Sequence, residues 1–210
     1  MPKPRLHCFA QSGNAYKVAL FLELAGIDWE PVFVDFFNKA TQAPSFRAEV
    51  NALGEIPVLE RDGVMLTQSG AILQRLSDET GLFGGRDAEE RYEILKWILF
   101  DNHKFTAQFA TLRFLLAFAK TGETPVTEHL RGRVKAAWKL ADAHLATRPF
   151  MVGERATIAD LSMAGYVFYP EETGLDMAAF PHLAAWRDRI AALPGWKHPY
   201  DLMPGHPLPA

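Results

Sequence analysis

Gly54-Glu55-Ile56-Pro57-Val58-Leu59 and, one hairpin further on, Thr67-Gln68-Ser69-Gly70 decide the fold of this chain. Proline cannot donate to a sheet ladder, so Pro57 belongs at the first residue of a strand. A cis bond there would re-aim the preceding backbone. The N–H and C=O of Ile56 would then be left to pair with an extended peptide by strand addition. A plain turn proline at a strand start would need no such partner. Asp62-Gly63, between the strand-like runs Pro57–Glu60 and Val64–Leu66, is a hairpin signal. Ser69 is expected to cap a helix that carries Ile72, Leu73 and Leu76 and ends near Gly81. Free amides and the helix dipole favour an anion at such a terminus. A carboxylate can accept from the Ser69 hydroxyl and N–H, while the Gln68 side chain can bind an amide or ammonium. As a bare cap, Ser69 would do neither.

Upstream, Leu6–Ala10 is an apolar run of strand length. The polar cluster Gln11-Ser12-Gly13-Asn14 turns the chain and opens a helix with Val18, Phe21, Leu22 and Ala25 at helical spacing, stopped by Gly26. Trp29–Val34 reads as a second strand, so the first two strands should pair in parallel through a right-handed crossover. Residues 35–52 are less regular, with one short helix expected near 45–49. The first half is therefore β-α-β-α-β-β-α. Ser12-Gly13-Asn14-Ala15-Tyr16-Lys17 sets a hydroxyl, an amide and a cation at the strand-to-helix turn. A thiol held there would meet a helix N-terminus and a hydroxyl donor, and both favour thiolate. Lowering a thiol pKa by about two units takes roughly 2.7 kcal/mol. One charge-assisted hydrogen bond plus a helix terminus supplies energy of that order.

Gly81-Leu82-Phe83-Gly84-Gly85 marks a boundary between residues 1–80 and 88–210. Beyond it the pattern is helical. One long stretch runs over 88–119, with Tyr92, Leu95, Leu99 and Leu116 among its apolar positions. Val134, Ala137, Trp138, Ala141 and Leu145 make an amphipathic helix. Further helices start at Thr157 and at Pro181. Thr157 and Asp160 have the spacing of a capping box. The last ten residues hold three prolines and should form an irregular tail.

Composition excludes more than it selects. The chain has 210 residues, 49% hydrophobic and 22% charged, ordinary values for a globular protein. A net charge of -3 points neither to nucleic acid nor to an anionic membrane surface. No segment reaches the roughly 18 apolar residues that span a bilayer. The N-terminus lacks the apolar stretch of a signal peptide, so a cytoplasmic location is expected. Cys8 is the single cysteine, which excludes an intramolecular disulfide. It sits within the first strand and reads as a buried thiol. The seven histidines show no paired ligand spacing, so no metal site is expected. There is no Gly-x-Ser-x-Gly frame, Walker loop or dinucleotide fingerprint.

The Ser12–Lys17 loop, Gly54–Leu59 and Gln68-Ser69-Gly70-Ala71-Ile72-Leu73, in this order and before an all-helical half, resemble the cytosolic glutathione S-transferases. The loop and the 97–104 stretch are most similar to bacterial members related to the theta-like and nu-like groups. The resemblance implies a thioredoxin-like α/β domain followed by an all-α helical-bundle domain. It implies glutathione as co-substrate with no other cofactor, an electrophilic small molecule as second substrate, and a homodimer. Ser12 matches the hydroxyl that activates the glutathione thiol, and Asn14 matches an asparagine that some relatives use. Ile56 and Pro57 would hold the cysteinyl backbone, and Gln68 and Ser69 the γ-glutamyl end. Lys39 and Gln42 are candidates for the glycine carboxylate. Asp101 is suitably placed to reach the γ-glutamyl amine of a neighbouring subunit. Tyr16, Trp97, Phe105, Phe109 and Tyr166 would line the electrophile site. The chemistry is left open among conjugation, peroxide reduction and disulfide reduction. A module of the same fold that binds glutathione with little catalysis is the alternative.

Overall fold

A computed structural model describes residues 2–208. Two compact units emerge, one formed by residues up to Leu82 together with those from Leu193 onward, the other by Phe83–Ala192. The first unit is built on strands β1 (Arg5–Cys8), β2 (Glu30–Phe33), β3 (Val58–Arg61) and β4 (Val64–Thr67) in the order β2-β1-β3-β4. β1 and β2 are parallel, whereas β3 is antiparallel to both β1 and β4. Helix α1 (Gly13–Leu24) supplies the crossover between β1 and β2, α2 (Pro44–Glu49) precedes β3, and α3 (Ser69–Thr80) follows β4. The β3–β4 turn uses Asp62 and Gly63, both at positive φ, as a two-residue hairpin of this hand requires.

Register fixes where the loops emerge. Val58 stands opposite His7 on one side and Thr67 on the other. The end of β1, the start of β3 and the end of β4 therefore share one end of the sheet. The turn holding Ser12, the Ile56-Pro57 bond and the Gln68-Ser69 pair all leave from that end. Leu6, Cys8, Val58 and Leu59 of the sheet, α1 from Ala15 to Leu22, and Ile72, Leu73 and Leu76 of α3 form the core.

In the second unit, α4 (Ala88–Phe100) runs into a π-helical turn at Asp101–Phe105, then α5 (Thr106–Arg113) and a second π turn at Phe114–Phe118. The expected single helix over 88–119 is thus one helical path with two local dilations. Its inward positions are Ile94, Trp97 and Ile98, while Tyr92, Leu95 and Leu99 are exposed. Helix α6 (Pro125–Leu145) is capped by Thr124, and α8 (Pro181–Ala191) opens on proline as predicted. Every residue of the short α7 (Ile158–Met163) is buried. The capping box forms, with the Thr157 N–H and hydroxyl both donating to the Asp160 carboxylate at 2.9 and 3.0 Å. The Met151 N–H and the Trp186 indole N–H also donate to Asp160, at 2.8 and 2.9 Å. This buried carboxylate therefore ties together α7, α8 and the loop before α7.

The tail departs from expectation. It belongs with the first unit rather than the helical half, and it contains a short helix α9 (Pro199–Leu202). Among the described residues no helix is long and apolar enough to cross a membrane.

Candidate functional site

The Ile56-Pro57 bond is cis. Among the described residues neither the N–H nor the C=O of Ile56 has a backbone partner. Both are thus left for an incoming extended chain. The approach to them is braced by the buried Asn51, whose side-chain amide donates to the Glu55 carbonyl at 2.8 Å and whose oxygen accepts from the Leu53 N–H. Gly54 is required twice over. Its φ is +67°, and a Cβ would stand 2.7 Å from Arg47 Nη2 and 2.9 Å from the Thr41 carbonyl oxygen. That close approach brings the 3-10 turn Ala40–Gln42 and the Arg47 guanidinium against the loop leading to Ile56. Lys39 precedes this turn in the left-handed conformation, and both Lys39 and Gln42 are exposed. Arg47, which the sequence reading passed over, is the cation packed against Gly54.

One correction concerns Ser69. It is the first residue of α3, and Gln68 is the cap, at φ 66° and ψ 105° with no side-chain capping bond. Among the described residues the amides of Ser69, Gly70 and Ala71 therefore have neither an intrahelical nor a side-chain partner. A non-glycine residue held at positive φ costs energy that the surroundings must impose, and such residues cluster at ligand sites. The Gln68 side chain donates to Glu55 Oε2 at 3.0 Å. Glu55 is a second omission of the sequence reading. It sets a negative charge against the Gln68 side chain, one residue before Ser69. Its position two residues before the cis proline was the signal available in the sequence.

Ser12 caps α1, its Oγ accepting from the Ala15 N–H at 3.1 Å. Its own N–H donates to the Phe9 carbonyl and its carbonyl accepts from the Tyr16 N–H. Among the described residues its hydroxyl has no acceptor, and it lies beside the first-turn amides of Gly13 and Asn14. Asn14, partly exposed, makes no side-chain hydrogen bond among the described residues. Lys17, read as a cation of this loop, is instead fully buried. Burial pushes the Cys8 thiol up to about 12, so it stays protonated and unreactive at neutral pH.

Several expected site residues lie elsewhere. Tyr16 is fully buried, and its hydroxyl donates to the Lys197 carbonyl at 2.9 Å. Burial raises its pKa further, and the ring serves the core of the first unit. Asp101 is also fully buried, accepting from the Thr106 and Ser162 hydroxyls, both at 2.6 Å. It joins the π turn to α7 and does not face outward to meet another subunit. Phe105 and Phe109 are 1% exposed, and Phe109 packs on Trp138 and Tyr166 with ring centroids 5.8 Å apart in each pair. Trp97 is wedged between Phe100 and His144. These aromatics recur at helical spacing because they fill the helical core, each burying a large area.

Comparison with known proteins agrees with this geometry. The model for the N-terminal domain of glutathione S-transferases matches residues 4–78, and that for the C-terminal domain matches 104–194. A maleylacetoacetate isomerase of Rhizobium meliloti is 32% identical, over 92% of this chain and 95% of the relative. A glutathione S-transferase structure from Xanthobacter autotrophicus superposes with a TM-score of 0.86 at 32% identity, covering 93% of this chain and 96% of the other. A glutathione transferase from Burkholderia graminis, with two glutathione molecules bound per subunit, gives 0.80 at 26% identity, over 92% and 85% of the two chains. With a four-stranded thioredoxin-like sheet, a helical second half and relatives of this similarity over nearly its full length, the chain belongs to the glutathione S-transferase family of enzymes.

Proposed function

We propose that the protein binds glutathione at the end of the sheet beside Ile56 and presents its sulfur as thiolate to an electrophile. The observation that carries this reading is the cis Ile56-Pro57 bond, with its unpaired Ile56 backbone, at the same end of the sheet as the N-terminus of α3 and the Ser12 turn. The cysteinyl part of the tripeptide pairs with Ile56. The γ-glutamyl carboxylate takes the Ser69 hydroxyl and the first amides of α3, and the ammonium takes Glu55 and Gln68. The glycine carboxylate has Arg47, Lys39 and Gln42 in reach of the approach to Ile56. Ser12 donates to the sulfur, Asn14 stands next to it, and the amides opening α1 add positive potential. The glutathione-bound Burkholderia relative supports glutathione as the ligand.

The second substrate is a small electrophile, and attack at carbon, at a peroxide oxygen or at a disulfide sulfur all use the same thiolate. The 32% identity to a protein named as an isomerase adds reversible addition to an activated alkene as a further candidate. Homodimerisation is part of the proposal. Tyr92, Leu95 and Leu99 lie at i, i+3 and i+7 on the outer face of α4, each at least 50% exposed. Such an apolar stripe is a natural contact between copies.

The test is retention on immobilised glutathione together with turnover of an aryl halide, a peroxide, a disulfide and an activated cis-alkene acid, with Ser12→Ala and Ser69→Ala alongside. Retention that Ser69→Ala weakens, with turnover that Ser12→Ala lowers by roughly 10–100-fold, is the expected result. Retention without turnover of any substrate would reduce the protein to a binding module. Absence of retention would overturn both readings.

A further inference from the structure

Residues 197–205 belong to the first unit and pack on the turn that carries Ser12. The Ala10 N–H donates to the Pro204 carbonyl at 2.7 Å, and the Gln11 side-chain amide donates to the Gly205 carbonyl at 2.9 Å. On the far side of the turn, the Tyr16 hydroxyl donates to the Lys197 carbonyl, and Lys197 pairs with Glu23 near the end of α1. Ala10 and Tyr16 are fully buried, so water cannot replace these partners. Within the turn itself, the Ser12 N–H donates to the Phe9 carbonyl before the helix begins. Regular sheet stops short of Ala10: β1 ends at Cys8, whose carbonyl still takes the Val34 N–H just beyond β2.

It is also seated closely. Gly205 has φ +92°, and a Cβ there would lie 2.5 Å from the Phe33 ring. Tyr200 and His206 stack at 3.8 Å with planes 7° apart, which folds the segment back on itself around Pro204-Gly205. His198 caps α9 by accepting from the Tyr200 N–H.

We propose that residues 197–205 act as a strap that positions the Ser12 hydroxyl toward the glutathione sulfur, with Gln11 as a positioning residue. This rests on the reading of Ser12 as the thiolate donor. A hydrogen bond weakens steeply with misalignment, and the strap fixes the backbone on both sides of residue 12. The strap touches neither Ile56 nor Ser69 in any hydrogen bond among the described residues, so its loss leaves tripeptide binding in place and changes the state of the thiol.

The experiment titrates the thiolate absorbance of bound glutathione against pH, with glutathione affinity by calorimetry and the pH profile of kcat/KM for an aryl halide. It compares the intact protein with Gly205→Ala, Gln11→Leu, Ser12→Ala and a chain ending at Met203. In Gly205→Ala, Gln11→Leu and the shortened chain, affinity should change by less than about threefold while the bound thiol pKa rises by about one unit, which is a tenfold loss of thiolate below that pKa. Gly205→Ala keeps every residue of the strap and decides the matter if the shortened chain does not fold. An unchanged thiol pKa and pH profile in folded Gly205→Ala and Gln11→Leu would overturn the strap alone. An unchanged thiol pKa in Ser12→Ala would overturn Ser12 as donor. No glutathione binding by the intact protein would overturn the site, and the strap proposal with it.

Discussion

At the scale of single residues, Ser12 has two duties on one oxygen. It caps α1 through an accepted bond and keeps a proton to donate. Ser12→Ala should therefore lose about 1 kcal/mol of stability from the missing cap. It should also lower kcat/KM by roughly 10–100-fold while glutathione affinity holds. Denaturant melts and steady-state kinetics on one preparation separate the two effects. Cys8 offers a clean contrast. With its thiol held up near 12 in the core, the native protein should resist alkylation at pH 7.5 and react fully once unfolded, as mass spectrometry will report. Asp101 was legible in the sequence as an acidic residue on the first long helix, but its direction was not. Two hydroxyls at 2.6 Å hold it inward. Asp101→Ala should cost about 3 kcal/mol or more by stranding both donors, with glutathione affinity unchanged in whatever protein folds.

At the scale of elements, most types and boundaries followed from pattern, and the misreadings have particular causes. The α3 cap was placed one residue late because nothing in the composition of Gln68 announces a positive φ. The substitution Gln68→Gly tests what that strain is for. It should stabilise the fold by up to about 1 kcal/mol, since glycine accepts this conformation freely. It should also weaken glutathione binding, because the amide that meets Glu55 is gone. Thermal melts and calorimetry read the two signs. The periodicity of α4 leaves its inward face open for another reason. Tyr92, Leu95 and Leu99 and the buried Ile94, Trp97 and Ile98 form two apolar faces on one helix, and spacing alone cannot say which is inward. The Thr157–Asp160 box was readable because its chemistry is local. The bonds from Met151 and Trp186 that make Asp160 a junction depend on packing and were not.

At the scale of the whole molecule, two imidazoles set a pH limit, that of buried His7 and that of half-buried His144. Burial lowers the pKa of His7, against the pull of Glu60, and lowers that of His144 on α6, against its bond to the Met151 carbonyl. Both are neutral in the fold at pH values where an unfolded imidazole, with a pKa of about 6.5, takes up a proton. The unfolded chain then binds more protons, so stability present above about pH 6.5 is lost as pH falls below it. The melting temperature should drop between pH 7.5 and 5.5, and His144→Gln should flatten that slope. Association is the other property of this scale. Leu95→Glu and Leu99→Glu on the outer face of α4 should convert a dimer to monomers in light scattering without unfolding them. A glutathione-bound crystal structure bears most directly on the central claim. The account predicts an extended tripeptide paired through its cysteinyl backbone with Ile56, its γ-glutamyl carboxylate on Ser69 and its sulfur within hydrogen-bond distance of Ser12 Oγ. A tripeptide bound away from Ile56, or a sulfur turned from Ser12 toward Asn14, would contradict it.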